Sequence, residues 1–349
     1  MKALQLQEYN RFEYLDLPEP AVGDDYVLVQ VKSCGICGSD VHGMDGSTGR
    51  RIPLIIMSHE AAGVITKLGA KISSNWKVGD RVTFDSTVYC GSCYFCTRGE
   101  INLCDNRKVL GVSCGDYRQH GAYAELVAVP EPILYRLPEN LAFEHAAMVE
   151  PVSIAFHAVN RLPKSISDSV VVVGAGMIGL FVIQALRLAG YGKIIAVDLD
   201  DNKLEMAKEF GTDFGLRSDE GDVISEIQKL TEGRGADTCL EVVGIGPTVD
   251  LALRAVKKGG RVCLVGNLKP KVEIPLQAIV TRELTVFGTC ASRGEYPACL
   301  EMIARGTVKI GPMISAIVPL SESSAWFERL YKGEPGLMKV IVKTDLIAQ

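Results

Sequence analysis

Cys90, Cys93, Cys96 and Cys104 stand in the spacing C-x2-C-x2-C-x7-C within the polar, turn-rich run CGSCYFCTRGEINLC. Four thiolates this close on one loop suit a closed tetrahedral metal site. An iron–sulfur cluster takes the same donors, but nothing else in the chain suggests electron transfer, so zinc is the favoured ion. A second group is spread over CGICGSDVHG (34–43), SHEAAG (58–63) and MVEP (148–151). Here Cys37, His59 and Glu60 offer a thiolate, an imidazole and a carboxylate, which leaves a fourth position for water or substrate. Taken alone, the His–Glu pair reads equally as a surface pair or a satisfied core histidine. The third feature is VVVVGAGMIGLFVIQALRLAG, with Gly174, Gly176 and Gly179 between a strand pattern and a helix pattern. Asp198 ends the next strand pattern, 19 residues beyond Gly179. That context makes the glycine run a dinucleotide fingerprint. Gly174 serves the turn, Gly176 the approach of a pyrophosphate and Gly179 close helix–strand packing. Asp198 can accept from both ribose hydroxyls and would repel a 2′-phosphate, which favours NAD over NADP. Lys203 is placed to lie over the same ribose.

These residues need scaffolds of two kinds. From Lys2 to about Val127 the chain shows short β-like runs, YVLVQVKS (26–33), AAGVITKLG (61–69) and DRVTF (80–84), broken by glycine and proline. No long 3.6-residue period appears there, so an all-β body, a partly open barrel, is predicted. After about Pro138 the pattern changes. LAFEHAAMVEPVSIAFHAVNRL (141–162) reads as helix and leads to the strand VVVV (170–173). Then follow a strand at 194–198, helices at 203–211 and 222–233, a strand at 236–243, a helix at 248–260 ending in glycines, and strands at 261–267 and 283–289. Continuously apolar strands alternating with helices predict a parallel sheet covered on both faces. The tail is read as a helix at 295–308 followed by short strands.

Composition narrows the function classes. The chain has 349 residues and a mean hydropathy of +0.17, enough apolar material for a large core and too much for a disordered chain. With 37 basic against 42 acidic residues the net charge is −5, which leaves no cationic excess for binding a polyanion. Nucleic acid is therefore not expected as a partner, and a zinc-ribbon module also lacks its second cysteine pair. The eleven cysteines are an odd number and no leader-like segment is evident, so a reducing compartment, the cytoplasm, is expected rather than a secreted disulfide scaffold. The uncharged window Ser169–Leu186 contains the three fingerprint glycines, so it reads as strand and turn rather than a membrane span.

The order CGICGSDVHG, HEAAGVITKLG, VGDRV, the four-cysteine loop, GAYAELVAVP, MVEP and VVVVGAGMIGL resembles the zinc-containing medium-chain alcohol/polyol dehydrogenases, in the sorbitol and threonine dehydrogenase branch. The resemblance runs over essentially the whole chain. It implies a GroES-like catalytic domain (1–150 with 290–349) and a Rossmann NAD-binding domain (151–289), with the active site in the cleft between them. It also implies two zinc ions per chain. Cys37 and His59 would be catalytic-zinc ligands, Glu60 the third, and Glu150 a ligand directly or through the zinc-bound water. Ser39 and His42 match the family's proton-relay positions, whereas Cys34 matches no ligand. A homodimer or homotetramer is the family's usual assembly.

Three departures bear on substrate, one of them Ala291 and Ser292 where sorbitol dehydrogenases have an Arg-Tyr pair. Ser58 stands where the family commonly has glycine, and Gly43 where sorbitol dehydrogenases have an aromatic residue. Arg50 and Arg51, with Arg293 in the segment GTCASRGEYP (288–297), suggest an anionic substrate, a sugar acid or phosphorylated polyol. An exposed loop pair is the plainer reading of Arg50 and Arg51. The expected activity is hydride transfer between a secondary alcohol and NAD. A threonine-type 3-hydroxy amino acid dehydrogenase and a non-catalytic nucleotide-binding descendant are the alternatives. A zinc-free quinone reductase would leave Cys37, His59 and the cysteine loop without a role.

Overall fold

The computed structural model describes residues 1–163 and 165–345. The chain divides into two compact units, Met1–Glu150 with the chain from Arg293 onward, and Pro151–Ser292.

The first unit is built on a seven-stranded sheet. Its successive neighbours are Leu134–Arg136, Arg81–Phe84, Ala61–Leu68, Tyr26–Gly35, Lys339–Lys343 and Ile314–Pro319, and Leu126–Pro130 also pairs with Tyr26–Gly35. Tyr26–Gly35 is central because its Val27, Val29 and Val31 side chains are all fully buried, so both of its long edges must be paired inside the core. Its last residues pair Cys34 with Ala61 on one side and Gly35 with Ile341 on the other. The C-terminal strand is thereby seated beside the segment that carries Cys37.

The second unit is a six-stranded, all-parallel sheet in the order Phe214–Arg217, Lys193–Asp198, Ser169–Val173, Ala236–Glu241, Val256–Leu264 and Thr285–Gly288. Val170 to Val173 are all buried, as expected of a strand covered on both faces. Two of the crossover helices begin at aspartates that cap them. The Asp200 side chain accepts from the Asn202 N–H, and that of Asp222 from the N–H groups of Ile224 and Ser225. The strand order reverses between Ser169–Val173 and Ala236–Glu241, the point in doubly wound sheets where ligands bind.

Several elements differ from the sequence reading. The expected helix at 141–162 is two helices, Phe143–Ala146 and Val149–Asn160. The helix read over 248–260 is Gly246–Ala255, and Val256 already belongs to the next strand. The apolar period stops at Ala255, and Lys257–Gly260 form a bulge: Ala236 pairs with Val256, yet Thr238 pairs with Arg261. Phe214–Arg217 and the helices Leu276–Thr281 and Ser323–Tyr331 were not read from the sequence. Each is short or mixed in polarity, so periodicity alone does not reveal it. No helix among the described residues is long and apolar enough to cross a membrane.

Candidate active site

In the first unit the ligand atoms of Cys37, His59 and Glu60 lie within 4.8 Å of one another. Local backbone geometry explains the convergence. Cys37 starts the short helix Gly38–Val41 just past the central strand, and Glu60 immediately precedes the neighbouring strand, with its carbonyl accepting from the Gly35 N–H at 2.8 Å. Ser58 turns the chain into His59 at φ +76°, a conformation that glycine adopts more readily than serine. Gly111 and Gly121 pack against the Ser58 backbone so closely that a Cβ on either would collide with it. The Ala122 N–H donates to the Ser58 carbonyl at 3.0 Å.

The donor set suits a divalent, nitrogen- and sulfur-loving ion such as zinc. Glu60 is buried, and its Oε2 contacts the ammonium of Lys339 while its Oε1 has no hydrogen-bond partner. A buried carboxylate oxygen without a partner is costly in an apolar interior and is relieved by a cation. Lys339 is fully buried and also donates to the Ile36 carbonyl at 3.1 Å. Burial alone would lower its pKa, but the charges of Glu60 and Cys37 outweigh that effect and hold it above the ordinary value. Burial, reinforced by Glu60, pushes the Cys37 thiol up to about 12, opposed by Lys339.

Glu150 is not a member of the close cluster. Burial first, then the charges of Glu60 and Cys37, raise its carboxyl to about 8, against the opposing influence of His59. The Ser39 hydroxyl donates to the Cys37 sulfur at 3.3 Å. His42 is exposed, with its ring centroid 6.3 Å from that of Tyr331. Cys34 is wholly buried and outside the cluster.

Arg50 and Arg51 do not form a two-pronged anion clamp. Arg50 is exposed, whereas Arg51 is 4% exposed with its guanidinium held by Asp40 at 2.6 Å. The charge of a buried carboxylate draws the arginine inward, and no sequence pattern signals that pairing. Arg293 is paired with Glu100 at 3.2 Å.

The sulfur atoms of Cys90, Cys93, Cys96 and Cys104 also lie within 4.8 Å of one another. The N–H groups of Cys90 and Asn106 both point at the Cys104 sulfur at 3.3 Å. Hydrogen bonds led by the Ser92 N–H lower the Cys90 thiol to about 5, and Cys93 is lowered chiefly by the Cys96 N–H. These N–H groups favour thiolates, the form a metal binds.

In the second unit, Gly174 has φ +99°, and a Cβ there would meet Val243 at 2.6 Å. A Cβ on Gly179 would collide with the Gly174 carbonyl, whereas one on Gly176 would meet nothing within 4 Å. Gly176 thus faces open space at the start of the helix Met177–Leu188, where unpaired N–H groups attract phosphate. Asp198 Oδ2 accepts from the Ala175 N–H at 2.7 Å, and Lys203 Nζ lies 3.9 Å from Asp198 Oδ1.

Sequence reasoning missed Asp40, Tyr123 and Lys339 beside the cluster. The one available signal was a lysine inside the apolar run MKVIVK, a position that burial allows only if the charge is paired.

Comparison with known proteins agrees with this geometry. The alcohol dehydrogenase GroES-like domain matches residues 23–139 and the zinc-binding dehydrogenase domain residues 178–305. D-arabitol-phosphate dehydrogenase of Enterococcus avium is 30% identical over 98% of this chain and 96% of its own. Sorbitol dehydrogenase of Bacillus subtilis is 31% identical over 98% and 97%. Among solved structures, a putative zinc-binding dehydrogenase of Sinorhizobium meliloti bound to NADP superposes with a TM-score of 0.89 at 30% identity, covering 98% of both chains. A short chain alcohol dehydrogenase of Escherichia coli CFT073 complexed with NADH gives 0.89 at 27% identity, covering 98% of this chain and 99% of the other. The chain belongs to the zinc-type medium-chain alcohol/polyol dehydrogenase family, with a GroES-like domain and a Rossmann-like parallel sheet. It is a zinc-dependent alcohol oxidoreductase that uses a nicotinamide cofactor.

Proposed function

We propose that this enzyme interconverts a secondary alcohol and its ketone on a polyol, sugar-acid or sugar-phosphate substrate, with NAD as hydride acceptor and two zinc ions per chain. The observation that carries the reading is the buried meeting of Cys37, His59 and Glu60, with one Glu60 oxygen left unpartnered. The polyol and polyol-phosphate relatives support the substrate class. We assign the first unit as the catalytic domain and the second as the coenzyme domain.

Zinc supplies the Lewis acidity that lets an alcohol hydroxyl ionise near neutral pH, and the nicotinamide accepts the hydride. The protein does the rest. Cys37, His59 and Glu60 hold the ion, Lys339 balances the Glu60 charge, and Glu150 completes the pocket from the first turn of its helix. Ser39 Oγ would accept the substrate hydroxyl proton as it hands its own on by way of the cofactor ribose to His42, which releases a proton to solvent. Gly174, Gly176 and Gly179 admit the pyrophosphate. Asp198 and Lys203 bind the adenosine ribose, and the Asp198 carboxylate disfavours a 2′-phosphate. Cys90, Cys93, Cys96 and Cys104 hold the second zinc and order their loop.

We further propose a cytoplasmic homodimer or homotetramer. The edge strand Thr285–Gly288 and the exposed Leu276, Val280 and Val286 near it support association there.

The test is a screen of polyols, sugar acids, sugar phosphates and threonine with NAD and NADP, alongside zinc analysis and light scattering. NAD-linked oxidation of a polyol-class substrate by protein with two zincs per chain is expected. Preference for threonine, or no turnover of any alcohol, overturns the substrate assignment.

A further inference from the structure

We propose that Arg51 is a positioning residue whose single guanidinium holds both the orienter of His59 and the hydroxyl of Ser39. The inference rests on the functional reading above, in which His59 binds zinc and Ser39 relays the proton.

Arg51 donates through Nε to Asp40 Oδ1 at 2.8 Å, and its Nη2 lies 2.6 Å from the same oxygen. That Nη2 is also 3.3 Å from Ser39 Oγ, while Nη1 donates to the Arg50 carbonyl at 2.9 Å. Asp40 is fully buried, and its Oδ1 lies 3.7 Å from His59 Nδ1. Nδ1 has no hydrogen-bond partner among the described residues and faces this carboxylate at ion-pair distance, so Nε2 is the nitrogen left for a metal. The Asp40 charge favours a ring orientation with Nδ1–H toward it. The Tyr123 hydroxyl, 3.2 Å from Asp40 Oδ2 and 3.0 Å from the Gly35 carbonyl, closes the other side. Remove Arg51, and among the described residues Tyr123 is the one hydrogen-bond partner left to the buried Asp40 carboxylate, which is then free to turn away from His59.

Gly43 makes the arrangement possible. A Cβ there would stand 2.7 Å from Arg51 Cγ and 2.8 Å from the Ser39 carbonyl. The small residue that replaces the aromatic of sorbitol dehydrogenases is therefore the opening through which the Arg51 stem reaches Asp40. Gly43 and Arg51 act as a pair. The pairing accounts for Gly43 and for the inward turn of Arg51 through the metal site, with no role for substrate charge.

The experiment compares the full-length, zinc-loaded wild type with Arg51→Met, Arg51→Lys and Gly43→Ala. Zinc release to a chelator is followed with a colorimetric indicator, and kcat and KM are measured on one neutral and one phosphorylated polyol. Arg51→Met is expected to release one of its two zincs faster and to lose kcat, each by up to about 10–100-fold, the effect of losing a direct outer partner of a metal ligand, which here is Asp40. KM should change little and equally for both substrates. Arg51→Lys should recover part of both losses, because its charge reaches Asp40 or Ser39 but not both. If Arg51→Met does not fold, Gly43→Ala carries the test, with the same pattern at smaller size. A KM increase confined to the phosphorylated substrate overturns the proposal in favour of substrate contact. A lower Tm with unchanged zinc release and kcat overturns it in favour of a merely structural role. Absence of zinc or of alcohol oxidation in the wild type instead overturns the functional reading itself.

Discussion

Lys339 and Glu60, 279 residues apart in the chain, form an ion pair in which both side chains are wholly buried. The pair joins the C-terminal strand to the segment that carries the candidate zinc ligands. Its geometry leaves one Glu60 oxygen unpartnered and commits the other to the lysine. Even Gly35 serves it, since a Cβ there would collide with the Glu60 carboxylate.

Breaking such a pair from one side strands a buried charge. Lys339→Met should destabilise the protein by about 3–5 kcal/mol, and Lys339→Met with Glu60→Gln by clearly less than the sum of the single changes. Chemical denaturation of the four proteins in a double-mutant cycle measures the difference. Additive losses would show that the two side chains do not act as a pair.

Zinc content separates the two cysteine-containing clusters. His59→Ala should leave one zinc per chain and reduce alcohol oxidation to background. Cys93→Ser should also leave one zinc but act mainly through lower thermal stability, because its loop has little apolar core of its own. Elemental analysis paired with a melting curve distinguishes them. Two zincs retained in either variant would refute the assignment of that cluster.

The fingerprint glycines differ in what they face, so their variants should differ too. Gly179→Ala pushes a methyl into the Gly174 carbonyl and should lower Tm. Gly176→Ala meets nothing in the protein, so Tm should hold while the KM for NAD rises. Melting curves with and without NAD, together with KM, give the comparison.

Asp198→Ala removes an acceptor from the Ala175 N–H and, on the proposed reading, from the coenzyme ribose. The kcat/KM for NAD should fall about 10–100-fold, in line with losing charged hydrogen bonds of about 1.5–3 kcal/mol. NADP should lose less, because the repulsion of its 2′-phosphate goes as well. An unchanged NAD:NADP ratio would count against the role given to Asp198.

Asp80 tests the acid limb of stability. A hydrogen bond from Arg136 holds its carboxyl below the ordinary 3.8, although burial opposes this. A depressed carboxylate stabilises the fold above its unfolded pKa, and that contribution disappears as pH falls through the folded value. Asp80→Asn should therefore cost about 1–2 kcal/mol at pH 7. The gap from wild type should close on acidification below about pH 3.8. Thermal unfolding across that range measures it, and a gap independent of pH would contradict the pairing.

Much of this molecule is written locally. Four cysteines within one loop, glycines at fixed offsets between strand and helix, and an aspartate at the next strand end are short-range patterns. Their chemistry is legible because backbone geometry over a few residues limits what they can do. Alternating strands and helices likewise announce a parallel sheet, since both faces must be apolar. The bulge after Ala255 and the helix Ser323–Tyr331 were less legible, because pairing partners and packing, not local period, determine them.

The amino-acid order alone determined the family, the doubly wound sheet, the cysteine cluster and the choice of Cys37, His59 and Glu60. Only the tertiary structure decided which charges stand behind those donors. Lys339, Asp40 and Arg51 are ordinary charged residues until strand pairing and burial remove them from water. In that setting each charge must find its opposite, and partners 11 and 279 residues apart become one electrostatic unit.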